Sequence, residues 1–128
     1  MRIRPRLIFG IAVLATVLIS NGCMSKEVIE TRQMTINSID ISTVKDGNYN
    51  GDYTYGNFTY VVSVQVKGRK IMDIKIIKNR TTKQAIMAEG VVERIVTQQR
   101  NDVDAISGAT TTSKAFLKAI ENALAKGL

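Results

Sequence analysis

The sequence predicts a small α+β domain, an antiparallel sheet of three or four strands with two or more helices packed on one face. Three observations predict it. Apolar residues alternate at period two between residues 49 and 78, they recur at three- and four-residue steps from Lys83 onward, and the chain is only 128 residues long. If the first 23 residues are a processed leader, about 105 remain, which is room for one core and not for two.

Met1 to Arg6 is basic, and Leu7 to Ile19 is an uncharged apolar run, the order of an export signal. The run is short for a membrane-spanning helix, which needs ~20 residues. Ser20-Asn21-Gly22-Cys23 follows, small and polar residues ending in the only Cys of the chain. This resembles the lipobox of bacterial lipoproteins, with Ser20 where that pattern usually has Leu. The resemblance implies that Cys23 is diacylated and becomes the anchored N-terminus. An uncleaved N-terminal anchor is the alternative. Either places the domain outside the cytoplasm, on the bacterial cell membrane.

Residues 24–43 read as a spacer, mixed and polar, with a possible short strand where Ile39-Asp40-Ile41 alternates. Asp46-Gly47 supplies turn chemistry. Tyr49 to Tyr55 alternates aromatic with small or polar residues, and Tyr60 to Val66 puts Val62, Val64 and Val66 on one face. Lys67-Gly68-Arg69-Lys70 separates that run from Ile71 to Lys78, where Met72, Ile74 and Ile76 share a face, so a β-hairpin is the simplest connection. Lys83 to Arg100 carries one apolar stripe of a helix, weakened at Gly90. Thr112 to Lys126 repeats the pattern more strongly, with Ala115, Phe116, Ala119, Ile120, Ala123 and Leu124 on one side. Thr112 or Ser113 is its expected N-cap and Gly127 its expected stop.

Composition excludes several chemistries. There is no His, no Trp and one Cys, which removes His-dependent triads, Cys and His zinc sites, His-ligated haem and four-thiolate clusters. Any redox cofactor must be organic. With Arg2, Arg4 and Arg6 assigned to the leader, 15 cations face 11 anions in the rest, a mild excess that does not suggest nucleic acid.

The segment that carries chemistry lies between the two predicted helices. From Ser107 to Ser113, six of seven residues are Ser, Thr or Gly, and they run into a helix start. Free N–H groups and the positive end of the macrodipole make that a favourable place for an anion, with hydroxyls as added donors and Gly108 allowing close backbone approach. Ser and Thr before a helix more often serve as caps, so physics alone leaves both readings open.

The run Asp104-Ala105-Ile106-Ser107-Gly108-Ala109-Thr110-Thr111-Thr112-Ser113, followed by an Ala-rich helix, resembles the signature of the FMN-binding domain family. Members occur in the flavin subunits of the Na⁺-translocating NADH:quinone oxidoreductase and Rnf complexes and in small surface lipoproteins. Val44 to Gly51 is similar to the family's opening Asp-Gly-x-Tyr-x-Gly strand, and the resemblance spans residues 44–128. It implies that Thr110 is joined to the FMN phosphate by a phosphoester, made by a separate Mg-dependent flavin transferase with FAD as donor. Asp104, Ser107, Gly108 and Ala109 match the rest of the motif, and the N–H groups of Thr111, Thr112 and Ser113 would face the phosphate. Family members often carry a Glu-Thr-Pro-like stretch near the ring, where this chain has Arg80-Thr81-Thr82-Lys83.

The reading is an extracytoplasmic, membrane-anchored flavoprotein carrying electrons from a membrane donor to an extracytoplasmic acceptor, a carrier more than a substrate-specific enzyme. Two rivals stay open. One is a noncovalent FMN-binding accessory module; the other is a surface interaction lipoprotein that has lost its flavin. The cluster Tyr49, Tyr53, Tyr55, Phe58 and Tyr60, and the basic run Lys67, Arg69, Lys70, Lys75 and Lys78, read first as packing and as a solvated face.

Overall fold

The computed structural model describes residues 26–128; Cys23 and the expected leader lie outside them. The chain forms helix α1 (Lys26–Gln33), a 3₁₀ turn (Ile41–Thr43), strands β1 (Gly47–Tyr55), β2 (Phe58–Lys67) and β3 (Lys70–Lys78), and helices α2 (Lys83–Ala88), α3 (Val91–Gln98) and α4 (Thr110–Ala125). The strands make one antiparallel sheet in the order β1-β2-β3. This is the expected α+β class. No helix among the described residues is long and apolar enough to cross a membrane.

The sheet is a meander because both connections are two-residue turns. Gly56 takes φ +56 between the paired ends Tyr55 and Phe58. Gly68 and Arg69 take φ +61 and +65 between Lys67 and Lys70, the mirror-image turn whose twist matches that of the strands. Val62, Val64 and Val66 point inward and are fully buried, as their alternation predicts. β3 departs from its pattern. Val66 pairs with Ile71 and Gln65 with Asp73, so Met72 is an extra, unpaired residue. This bulge turns Ile71 into the core and leaves Met72 exposed, so Ile71, not Met72, joins Ile74 on the inner face.

The long helix α4 lies across β1 and β2 and closes the core with Ala115, Phe116, Ala119, Ile120, Ala123 and Leu124, all buried. It lies so close because Gly51 has no side chain. A Cβ there would come within 1.9 Å of the Ala119 carbonyl oxygen. That contact gives a packing reason for the last Gly of the opening strand motif.

Two other expectations are corrected. The helix expected over Lys83 to Arg100 is two helices, with Gly90 as the N-cap of the second; an added Cβ at Gly90 would press on Ile106 Cδ1 at 3.2 Å. Gln99 then ends α3 in the left-handed region at φ 54, and its amide pairs with both backbone groups of Ile71, at 2.8 and 2.9 Å, beside the bulge. The described residues of the spacer, from Lys26, hold a helix and a 3₁₀ turn but no strand. Its backbone finds side chains in place of a sheet neighbour. Ile39 N–H donates to Asn101 Oδ1 at 2.8 Å, Asn101 Nδ2 donates to the Asn37 carbonyl at 2.7 Å, and Asn37 N–H donates to Glu121 Oε1. Asp40 caps the 3₁₀ turn, and the hydroxyl and N–H of Ser42 hold its carboxyl below the usual carboxylate range.

Candidate functional site

The motif loop is built by one turn and one clamp. Ala109 N–H donates to the Ile106 carbonyl at 3.0 Å, closing a four-residue turn whose third residue, Gly108, takes φ +81. A positive φ at that position is what glycine supplies without strain, which accounts for the Gly of the motif. Arg94 of α3 donates from Nη1 to the carbonyls of Asp104 at 3.0 Å and Ala105 at 3.2 Å, fixing the entry to the loop.

Helix α4 begins two residues earlier than its expected cap. Ala109 is the N-cap and has no side-chain bond to give, so Thr112 and Ser113 are not caps. The first bond of the helix runs from Ser113 N–H to the Ala109 carbonyl at 3.0 Å. The N–H groups ahead of the ladder are therefore those of Thr110, Thr111 and Thr112, not those of Thr111 to Ser113. Ser113 is fully buried, and its hydroxyl accepts from Ile106 N–H at 3.0 Å, so its role is to pin the loop. Ala109 likewise turns its side chain into the core.

Thr110 is half-buried as the first helical residue, and it borders a cavity of about 240 Å³ lined by the segment from Gly108 to Thr112 with Arg32 and Gln84. Ser107 and Gly108 are exposed beside it. Asp104 is exposed too, but it lines a different cavity of about 420 Å³, together with Asp102, Lys114 and the segment from Gln33 to Ile36. Seven of the eight expected binding residues thus lie at one helix start, six of them lining or flanking the Thr110 cavity with backbone or side chain, while Ser113 pins the loop from behind. Asp104 stands apart, which keeps a carboxylate away from an anion placed at Thr110.

An aromatic cluster backs the helix start. Tyr60 is fully buried, edge-on to Phe116 with centroids 5.4 Å apart, and stacked with Tyr55 at 5.7 Å. Its phenol shares a hydrogen bond with Tyr55 at 3.2 Å, with the Thr112 hydroxyl as a third neighbour. Burial, then the Tyr55 bond, push the Tyr60 hydroxyl up to about 12. Phe58 extends the cluster outward, where it is partly exposed and covered by the Arg80 guanidinium 3.7 Å from its ring centroid. Tyr49 and Tyr53 are tied to backbone and helix: Tyr49 donates to the Lys45 carbonyl at 2.6 Å, and Tyr53 shares a 3.2 Å bond with Thr31. The basic run of the β2–β3 hairpin is exposed throughout.

The family comparison bears directly on this helix start. The model of the FMN-binding domain family matches residues 54–125, which include the Ser107-Gly108-Ala109-Thr110 loop and all of α4. The chain belongs to that family. It is a flavin-binding module, and its cofactor is FMN. A comparison with curated proteins finds no match. The residues present suit the phosphate end of FMN. The three residues whose N–H groups precede the helical ladder line a cavity at the positive end of the helix, and its lining contains one cation, Arg32, and no acid. Ile86 and Met87 of α2 are exposed apolar side chains, and Met87 Cε is the nearest atom to a Cβ built on Gly108, at 3.9 Å.

Sequence reasoning missed Arg32, Gln84 and Arg94. Arg32 sits in what reads as a spacer, and nothing in its neighbours marks it; Gln84 and Arg94 fall on a helix pattern with no functional signal. Only the fold brings them to the loop.

Proposed function

We propose that this protein is an extracytoplasmic electron carrier held on the bacterial membrane by its N-terminus, with FMN joined to Thr110 through a phosphoester. The observation that carries the proposal is the position of Thr110. It is the first residue of α4, half-buried at a cavity edge, with its own N–H and those of Thr111 and Thr112 ahead of the helical ladder. The bond would form when the Thr110 hydroxyl oxygen attacks the flavin-side phosphorus of FAD in the transferase. The hydroxyl proton leaves, the diphosphate bond breaks and AMP departs. The product is a phosphodiester with one negative charge, beside three donors and the positive end of α4, each such charge interaction being worth ~0.3–1 kcal/mol.

Bound FMN supplies the redox chemistry. The chain's own residues supply position and permanence. Gly108 and Arg94 hold the loop open to the transferase, Ser113 locks it to the helix, and the donors at Thr110 to Thr112 orient the phosphate. Permanence suits an exported protein, because a dissociable flavin outside the cell would be occupied only in proportion to free flavin. Lipidation of Cys23 would give the anchor, and the redox partners would be a membrane donor and an extracytoplasmic acceptor.

Co-expression with and without a flavin transferase tests this. Covalent attachment predicts denatured protein that stays yellow and fluorescent in the gel and gains the mass of one FMN less water, with Thr110→Val losing the flavin and keeping its fold. Colour lost on denaturation supports the noncovalent module, and no colour under either condition supports an interaction lipoprotein. A flavin that maps to Thr111 or Thr112 overturns the site.

A further inference from the structure

Helix α1 precedes the segment matched to the family, yet it delivers the one charged side chain in the Thr110 cavity. Its placement is built, not incidental. Thr31 is almost fully buried; its hydroxyl donates to the Glu27 carbonyl at 2.9 Å and meets the Tyr53 hydroxyl at 3.2 Å, which fastens α1 to β1. Just beyond the helix, Lys114 of α4 donates to the Met34 carbonyl at 3.1 Å. The two clamps fix the turn that bears Arg32 between β1 and the start of α4.

The charges of α1 are sorted by face. Glu27 and Glu30 line a separate cavity of about 230 Å³ against the segment from Tyr53 to Gly56, while Arg32 lines the Thr110 cavity. Arg32 is exposed, and among the described residues its guanidinium makes no ion pair, as is true of most Lys and Arg side chains here. An Arg side chain carries five donors in a planar fork suited to phosphate oxygens. Arg32 and the N–H groups of Thr110 to Thr112 thus present positive potential to one volume with no acidic residue in its lining.

We infer that Arg32 is the cationic partner of the flavin phosphate, so that α1 is part of the flavin site and flavin attachment tightens α1 against the domain. The inference rests on the placement of the phosphate at Thr110. Arg32 is a positioning residue: it neutralises the diester and leaves the flavin ring untouched.

Two measurements test it on the mature chain. In the first, melting temperatures are compared between flavinylated protein and its unflavinylated counterpart for wild type, Arg32→Gln and Arg32→Lys. The flavin-dependent increment should fall by at least half in Arg32→Gln and be largely kept in Arg32→Lys, and hydrogen exchange of α1 amides should slow on flavinylation in wild type and Arg32→Lys but not in Arg32→Gln. In the second, FMN is titrated into unflavinylated Thr110→Val protein, where adding Arg32→Gln should weaken binding about fivefold, with the difference shrinking as salt rises. Equal increments and equal affinities in wild type and Arg32→Gln overturn the inference, as does a variant that only loads flavin more slowly. If wild type carries no covalent flavin but FMN affinity still depends on Arg32, the phosphoester fails and the role of Arg32 stands.

Discussion

Replacing Gly51 by Ala should be among the most damaging single-methyl changes in this domain. The new Cβ would lie 1.9 Å from the Ala119 carbonyl oxygen, 2.6 Å from the Ala123 nitrogen and 2.8 Å from the Ala123 Cβ. Real Cβ atoms do not approach closer than 3.0 Å, so α4 must move off β1 by at least about 1.1 Å at this crossing. No side chain can swing aside, because two of the three obstructing atoms are backbone. A gap of that size costs neighbouring contacts a quarter to a half of their dispersion attraction, and it would open beneath Ala115, Phe116, Ala119, Ile120 and Ala123. Overpacking of a rigid site costs about 1–3 kcal/mol, and this geometry belongs at the upper end, about 3 kcal/mol. For a domain of this size that is roughly 10–20 °C in Tm. The assay is urea or thermal unfolding beside Gly68→Ala, whose added Cβ meets nothing within 4 Å and whose φ of +61 costs only about 1 kcal/mol of strain. Should Gly51→Ala lose no more stability than Gly68→Ala, the close approach of α4 to β1 is wrong. Because Thr110 opens α4, the same variant should also take up less flavin.

Asn101→Ala leaves the Ile39 N–H and the Asn37 carbonyl without partners and should cost about 2–3 kcal/mol, read from the midpoint of urea unfolding, with faster hydrogen exchange confined to residues 34–41. Tyr60 predicts an alkaline limit. Burial raises its hydroxyl to about 12 in the folded chain from near 10 unfolded, so its contribution is complete below pH 10 and is lost as pH climbs toward 12. Unfolding measured against pH, with phenolate absorbance alongside, should show this loss in wild type and not in Tyr60→Phe.

The elements most legible in the chain were those whose burial follows one repeating rule. Val62, Val64 and Val66 alternate, and the face of α4 recurs every three to four residues, so their burial follows from the period alone. The motif loop was legible for a different reason: Gly108 and the hydroxyl run are local chemistry, and local chemistry survives without a fold. Where the reading failed, a contact between distant residues had overridden the local pattern. Alternation places Met72 inward because it cannot announce a bulge that Gln99, 28 residues from Ile71, helps to hold. Local pattern puts the cap of α4 too late because Ser113 is claimed by Ile106 and Thr112 lies against Tyr60, partners that only packing supplies.

Sequence by itself determined the class of fold, the family and the threonine-rich helix start, because period, glycine positions and a contiguous motif are properties of neighbours along the chain. Tertiary structure alone decided which three N–H groups stand ahead of the helical ladder, that Asp104 lines a different cavity, and that Arg32 and Gln84 line this one. Those are matters of which surfaces meet once Gly51 lets α4 settle onto the sheet and Thr31 fastens α1 to Tyr53, and such meetings are specified by volume and hydrogen-bond geometry, not by order in the chain.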